Sequence, residues 1–266
     1  MKIVLFGYSY HPYTLDILEA LNDSHVNIHA LIEAKPKYTM NKVSNSSDID
    51  NEFLSKVNLK NLVSFWSIKT FALNPIKGIK YLQNIYLAKK EKKSSKNPLD
   101  GLNIYKVNDH TDKDCEQLLN KINPDLIILG PSSSIIRSNI LNIPKIGIIN
   151  AHMGLLPQFR GMNALEWTLF HLDRASVTIH FVDEGLDTGD IIRTYEFPFE
   201  GRSSVSSLRV LGRKKMARGL AEAARCIETG EYSRKKQKIE DGKQYFSMHQ
   251  KLIDIVDLNL SGDISS

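Results

Sequence analysis

Residues 145–190, KIGIINAHMGLLPQFRGMNALEWTLFHLDRASVTIHFVDEGLDTGD, decide the fold. Ile146-Gly147-Ile148-Ile149 is a short β-branched apolar run, the signature of a strand buried in a parallel sheet. That strand is expected to end near Asn150. Asn150 and His152 follow, separated by one residue, and then come Leu155-Leu156-Pro157 and Arg160-Gly161. Open parallel sheets bind ligands at the carboxyl ends of their strands, so a polar pair leaving there is placed for chemistry. Asn offers an amide donor to a developing oxyanion, and His exchanges a proton near neutral pH. Further on, Val177, Ile179 and Phe181 alternate with Thr178, His180 and Val182, a half-buried strand pattern that runs into the acidic, Gly-punctuated loop Asp183–Asp190. A carboxylate from that loop beside His152 would favour the charged imidazole and could orient a water. The structural alternative makes Asn150 a helix cap and His152 a satisfied interior histidine.

These features together resemble the folate-dependent formyltransferases, which include methionyl-tRNA, glycinamide ribonucleotide and sugar N-formyltransferases. The family's Asn-x-His, Leu-Leu-Pro turn and Arg-Gly correspond to Asn150, His152, Leu155-Leu156-Pro157 and Arg160-Gly161. Its Leu-Asp-x-Gly loop corresponds to Leu186-Asp187-Thr188-Gly189. The resemblance implies a catalytic triad of Asn150, His152 and Asp187, with 10-formyltetrahydrofolate as formyl donor and a primary amine as acceptor. It also implies two walls for the folate pocket. One is Ile135 and Ile136 in the loop Gly130–Ile136; the other is Asp183, Glu184, Gly185 and Leu186, whose backbone holds the pterin ring. For Ile135 and Ile136 the alternative is the start of a helix packing inward. Arg160 is assigned to the acceptor side, as are Met162 and Asn163, which flank the Arg-Gly outside the family's fixed pattern.

Where the glycinamide ribonucleotide enzymes carry a Gly- and Ser-rich phosphate loop, this chain has Gly7-Tyr8-Ser9-Tyr10-His11, with one glycine and two aromatics. Ser9 can still donate one hydrogen bond, and Tyr10 is read either as substrate-facing or as part of a surface turn with Tyr8 and His11. Methionyl-tRNA formyltransferases add a C-terminal β-barrel, and the residues after Gly230 are too few for one. By elimination the expected acceptor is a nucleotide-linked amino sugar. Glycinamide ribonucleotide or another small amine, and hydrolysis of 10-formyltetrahydrofolate, are the alternative activities; a non-catalytic folate- or nucleotide-binding module is the third reading.

Composition sets the outer bounds. At 266 residues, 42% hydrophobic and 24% charged, the chain is of ordinary globular make-up and can bury a large core. A net charge of +5 is compatible with an anionic substrate and too mild to imply nucleic acid. Cys115 and Cys226 lack metal-ligand spacing and read as free thiols in a reducing compartment. Lys2–Phe6 is too short a leader to be a signal peptide, and no stretch has the length to span a bilayer, so the expected location is the cytoplasm. The expected partner is a small-molecule amine, with neither nucleic acid nor membrane; a homodimer is among the options.

Along the chain, strands are expected at Lys2–Phe6, Val26–Ile32, Asn103–Val107, Leu126–Leu129 and Ile191–Phe199, with helices at Pro12–Leu21, Thr111–Ile122, Asn163–Leu172, Ser203–Thr229 and Leu252–Leu260. Alternating strands and helices predict an α/β fold, a doubly wound, mostly parallel sheet. Residues 1–230 form the expected catalytic domain, interrupted by a helical insertion at about 35–100 that ends in the lysine-rich run Lys89–Lys96, and 231–266 a short C-terminal extension. That run reads as a solvated face, the alternative being a partner for a phosphate-bearing substrate. Gln237–Phe246 predicts a small strand pair turning at Asp241-Gly242.

Overall fold

The computed structural model describes residues 1–35, 97–132, 134–199 and 203–261. The expected helical insertion and its lysine run lie almost wholly outside the described residues. In chain order the elements are β1 (Ile3–Phe6), α1 (Pro12–Asp23), β2 (Ile28–Ala34), β3 (Asn103–Val107), α2 (Lys113–Ile122), β4 (Leu126–Leu129), α3 (Ser138–Leu141), β5 (Gly147–His152), β6 (Phe159–Gly161), α4 (Ala164–Leu172), β7 (Ser176–Phe181), β8 (Ile191–Glu196), α5 (Val205–Thr229), a 3-10 turn (Ile239–Asp241), β9 (Lys243–Tyr245) and α6 (Gln250–Ser261).

Seven strands form one sheet in the order β3-β2-β1-β4-β5-β7-β8. The first five are parallel, and β7 and β8 close one edge antiparallel. The period of two along each strand divides the apolar residues between two faces. Ile3, Leu5, Leu31, Ile149, Ala151, Val177 and Ile179 pack under α1 and α5. Val4, Phe6, Ile32, Ile127 and Ile148 pack under α2 with Cys115, Leu119 and Ile122. The sheet is therefore doubly wound, and burying each such side chain contributes about 1.5–3 kcal/mol. Asn150 and His152 share the parity of Ile148, so they emerge on the α2 face, opposite α5.

Local signals account for the helix ends. Pro12 opens α1, whose N-cap His11 accepts through its ring nitrogen from the Tyr13 amide. Burial, with the Arg213 charge adding to it, pushes the His11 pKa down to about 4, which keeps that nitrogen an acceptor. α5 begins in a capping box between Ser204 and Ser207 and ends at Gly230 in the left-handed conformation. Among the described residues no helix is long and apolar enough to cross a membrane.

Three expectations are corrected. The second strand starts at Ile28 and not Val26, because the Val26 amide is used on the Leu21 carbonyl in the turn that ends α1. β5 does not end near Asn150; pairing with β7 places Asn150 opposite His180 and His152 opposite Thr178, so both polar residues sit inside the strand. The hairpin at Asp241-Gly242 does not form. Ile239–Asp241 is a 3-10 turn, and Lys243–Tyr245 runs parallel to β6. The Lys238 and Ile239 carbonyls, which a hairpin would have paired across strands, accept instead from the Arg160 guanidinium.

Candidate active site

Because β5 and β7 are paired in register, the side chains of Asn150, His152, Thr178 and His180 stand together on one face. All six residues of β7 are buried, so its polar face is covered and not solvated as the alternation predicted. Asp187 reaches the group from the loop after β7. Its Oδ2 lies 3.4 Å from His152 Nδ1, and its Oδ1 3.7 Å from His180 Nε2. The Gly161 amide donates to Asp187 Oδ2 at 2.9 Å. Asn150, His152 and Asp187 are thus brought together, and two segments of the chain deliver them.

Hydrogen bonding fixes where the protons sit. His152 Nε2 is 2.7 Å from the Phe159 carbonyl, which only accepts, so Nε2 carries hydrogen. Nδ1, the other ring nitrogen, faces the Asp187 carboxylate, so a proton taken up there would point at it. His180 Nδ1 is 2.8 Å from the Phe181 carbonyl and likewise donates. In the neutral ring Nε2 is then an acceptor, and it faces Asn150 Nδ2 at 3.3 Å. One N–H of the Asn150 amide is given to His180, which leaves the second for an incoming oxygen.

Burial pushes the His180 pKa from 6.5 to about 4, outweighing the attraction of Asp187, so the ring is neutral at pH 7. This links stability to pH with a definite sign. Between pH 6.5 and about 4 the unfolded chain binds a proton that folded His180 refuses. Stability is accordingly lost as the pH falls through that window, and His180 costs nothing above it. His180→Gln should reduce the acid sensitivity of folding by on the order of 2 kcal/mol at pH 5. Urea unfolding of both proteins at pH 7 and pH 5 measures it, and an equal loss in both would refute the assignment.

The other expected site residues divide. Asp183, Glu184, Gly185 and Leu186 form an exposed stretch, shaped by Asp183 Oδ1 accepting from the Gly185 amide at 3.1 Å and the Thr188 hydroxyl at 2.7 Å. Val182, at its start, packs against the apolar cluster that contains Ile136. Ile135 is 71% exposed and available to line a pocket. Ile136 is not: at 4% exposed it fills the apolar layer beneath α2, because the chain alternates inward before α3.

Met162 is exposed beside the site, with its amide donating to the Tyr245 carbonyl. Asn163 has a left-handed backbone, and its side-chain oxygen accepts from the Met248 amide. Ser9 donates its amide to the Glu33 carboxylate, and Tyr10 is exposed beside Tyr8. Both follow β1, two strands from β5, about 10 Å along the sheet.

Arg160 is also corrected. It is 3% exposed, and its guanidinium donates to Gln237 Oε1 and to the Lys238 and Ile239 carbonyls, so it faces the protein and not an acceptor. Two residues were missed. His180 had a signal, a histidine on the polar face of the strand leading to the acidic loop. Gln237, which donates to the Asp187 and Gly189 carbonyls, had none. Two clefts of about 350 and 390 Å³ lie between β8 and α5 and between α1 and α5. Neither is lined by Asn150, His152 or Asp187.

Comparison with known proteins gives the family. Residues 1–224 match the formyl transferase family. A methionyl-tRNA formyltransferase of Clostridioides difficile is 33% identical over 139 residues, 52% of this chain and 45% of that protein. The chain spans about a quarter to a half of the length of the curated relatives it matches. Among solved structures, glycinamide ribonucleotide transformylase 1 of Symbiobacterium toebii has a TM-score of 0.55 at 19% identity, over 86% of this chain and 88% of that one. An N-formyltransferase of Helicobacter canadensis, solved with folinic acid and dTDP-3-aminofucose, has a TM-score of 0.53 at 16% identity, over 92% and 70%. At such identities the likeness carries the fold alone, while the match over residues 1–224 carries the family: this chain belongs to the folate-dependent formyltransferases.

Proposed function

We propose that this protein transfers a formyl group from 10-formyltetrahydrofolate to the primary amine of a nucleotide-linked amino sugar. The observation that carries the reading is the convergence of Asn150, His152 and Asp187, with one Asn150 N–H still to be given. The donor supplies an activated formyl group. When an amine adds to the formyl carbon, its oxygen gains negative charge, and the second Asn150 N–H is the donor that receives it in this reading. Such a donor contributes about 3 kcal/mol. His152 and Asp187 take the proton that the amine sheds and return it to the leaving nitrogen. The exposed Asp183–Leu186 stretch and Ile135 offer backbone and apolar surface to a reduced pterin.

The acceptor class is supported by several features. The turn after β1 has Tyr8 buried and His11 spent on capping α1, which leaves it unlike a phosphate loop. The net charge of +5 suits an anionic acceptor. A fold neighbour, the Helicobacter enzyme, holds an amino sugar on a nucleotide. Both cysteines are free, which supports a reducing, cytoplasmic setting. Residues 1–230 make up the catalytic domain in this reading, with 231–266 as its extension. Methionyl-tRNA is the second reading, favoured by the names of the curated relatives.

A panel separates them. With 10-formyltetrahydrofolate as donor, formyl transfer is measured to dTDP-3-aminofucose, other nucleotide amino sugars, glycinamide ribonucleotide and methionyl-tRNA, alongside formate release into water. The expected result is turnover of a nucleotide amino sugar at least ten-fold above formate release. Transfer to methionyl-tRNA alone, or formate release alone, would overturn the sugar assignment.

A further inference from the structure

We propose that Gln237, on the segment after α5, is a positioning residue that holds Asp187 in reach of His152. It lies beyond the stretch that matches the family, which ends at residue 224. The proposal rests on Asp187 acting with His152 in formyl transfer.

The argument begins with the backbone of Asp187. Its φ is 56°, in the left-handed region that a residue with a Cβ enters only at a cost, so surrounding contacts must impose it. Gln237 supplies two of them. Its Nε2 donates to the Asp187 carbonyl at 3.0 Å and to the Gly189 carbonyl at 2.7 Å, clasping both ends of the turn that aims the carboxylate. The amide is itself locked. Its Oε1 accepts from Arg160 Nε at 3.3 Å and Nη2 at 3.2 Å, and donors there make any other amide orientation unfavourable.

Arg160 is in turn fixed by the Lys238 and Ile239 carbonyls, at 2.9 and 3.1 Å from Nη2 and Nη1. Its chain neighbour Gly161 donates directly to Asp187 Oδ2. Arg160 and Gly161 therefore grip Asp187 at both ends, the carboxylate through the Gly161 amide and the backbone through Gln237. Two further bonds, between Lys235 and Ile191 in both directions at 2.8 and 2.9 Å, anchor the segment where the loop re-enters β8. The residues after Gly230 thus complete the site, and Arg160 is a positioning residue by the same chain of contacts.

Gln237→Glu is the sharp test. The carboxylate keeps the shape and the Arg160 contact, but it turns lone pairs toward two carbonyl oxygens that had been receiving hydrogens. Gln237→Met removes both sets of bonds at similar volume, and it serves as the second variant should the first not fold. Turnover is followed with 10-formyltetrahydrofolate and the fastest acceptor of the panel, or as formate release if water is that acceptor. Binding of 5-formyltetrahydrofolate and the melting temperature are measured alongside.

The expected result is a kcat about 10- to 100-fold lower, with donor affinity changed less than three-fold. In an Asp187→Asn background the same substitution should have almost no further effect. A crystal structure of the variant should show the Asp187 carboxylate displaced from His152. Equal losses in both backgrounds, or an unmoved Asp187 with full activity, would overturn the proposal alone. Unchanged turnover in Asp187→Asn itself would overturn the catalytic reading, and this proposal with it.

Discussion

Asp187→Asn is expected to lower kcat by about 10²–10⁴-fold while leaving donor affinity nearly intact, the range for removing a positioned acid–base partner. The substitution isolates charge from shape. Asn can still accept from the Gly161 amide through its oxygen, so the loop that the glycine holds stays in place. What it cannot do is balance a hydrogen on His152 Nδ1, which Asp187 Oδ2 faces at 3.4 Å. His152 Nε2 is already committed to the Phe159 carbonyl, so the ring has no second place from which to pass the proton. Steady-state kinetics, with 5-formyltetrahydrofolate binding measured separately, decides the matter. A loss below ten-fold would remove Asp187 from the chemistry.

The second large effect concerns stability. Glu166 on α4 is 1% exposed, and its Oε1 accepts from Arg209 Nε at 2.7 Å and Nη2 at 2.5 Å. Its Oε2 is buried without a hydrogen-bond partner, so Arg209 is the compensation this carboxylate has. Arg209→Ala leaves an uncompensated buried charge, which costs about 3–5 kcal/mol. Because the Arg209 side chain is 45% exposed, screening places the value toward the lower end. Replacing both partners with leucine should restore most of the loss, since a buried pair is roughly equivalent to apolar side chains of similar volume. Urea unfolding of the three variants measures it. A cost under 1 kcal/mol for Arg209→Ala would mean that Glu166 finds another partner.

Elements built from local signals were legible in the sequence. β1 and β4 are four-residue apolar runs bounded by turn residues, and α5 shows both helical spacing and the glycine that ends it. The exact extent of β5 was not legible, because its last residues are strand only through pairing with β7, far along the chain. The same holds for Arg160. Its type and spacing fit a ligand contact equally well, and the carbonyls that capture it lie 78 and 79 positions away. Asp241-Gly242 has hairpin chemistry, yet the backbone there is claimed by β6 and Arg160, so tertiary pairing overrode a sound local preference.

By itself, the sequence determined which functional groups this protein owns and the periods at which they recur: an amide and an imidazole two residues apart beside an apolar run, and a carboxylate in a Gly-punctuated loop. Those follow from residue type and from the alternation of side chains along an extended backbone, which are local properties. The tertiary structure alone decided who faces whom. It turned Arg160 inward, made His180 a neutral acceptor for Asn150, and held Asp187 in a left-handed backbone through Gln237. Hydrogen-bond partners and desolvation depend on atoms brought close from distant parts of the chain, and no window of sequence contains them.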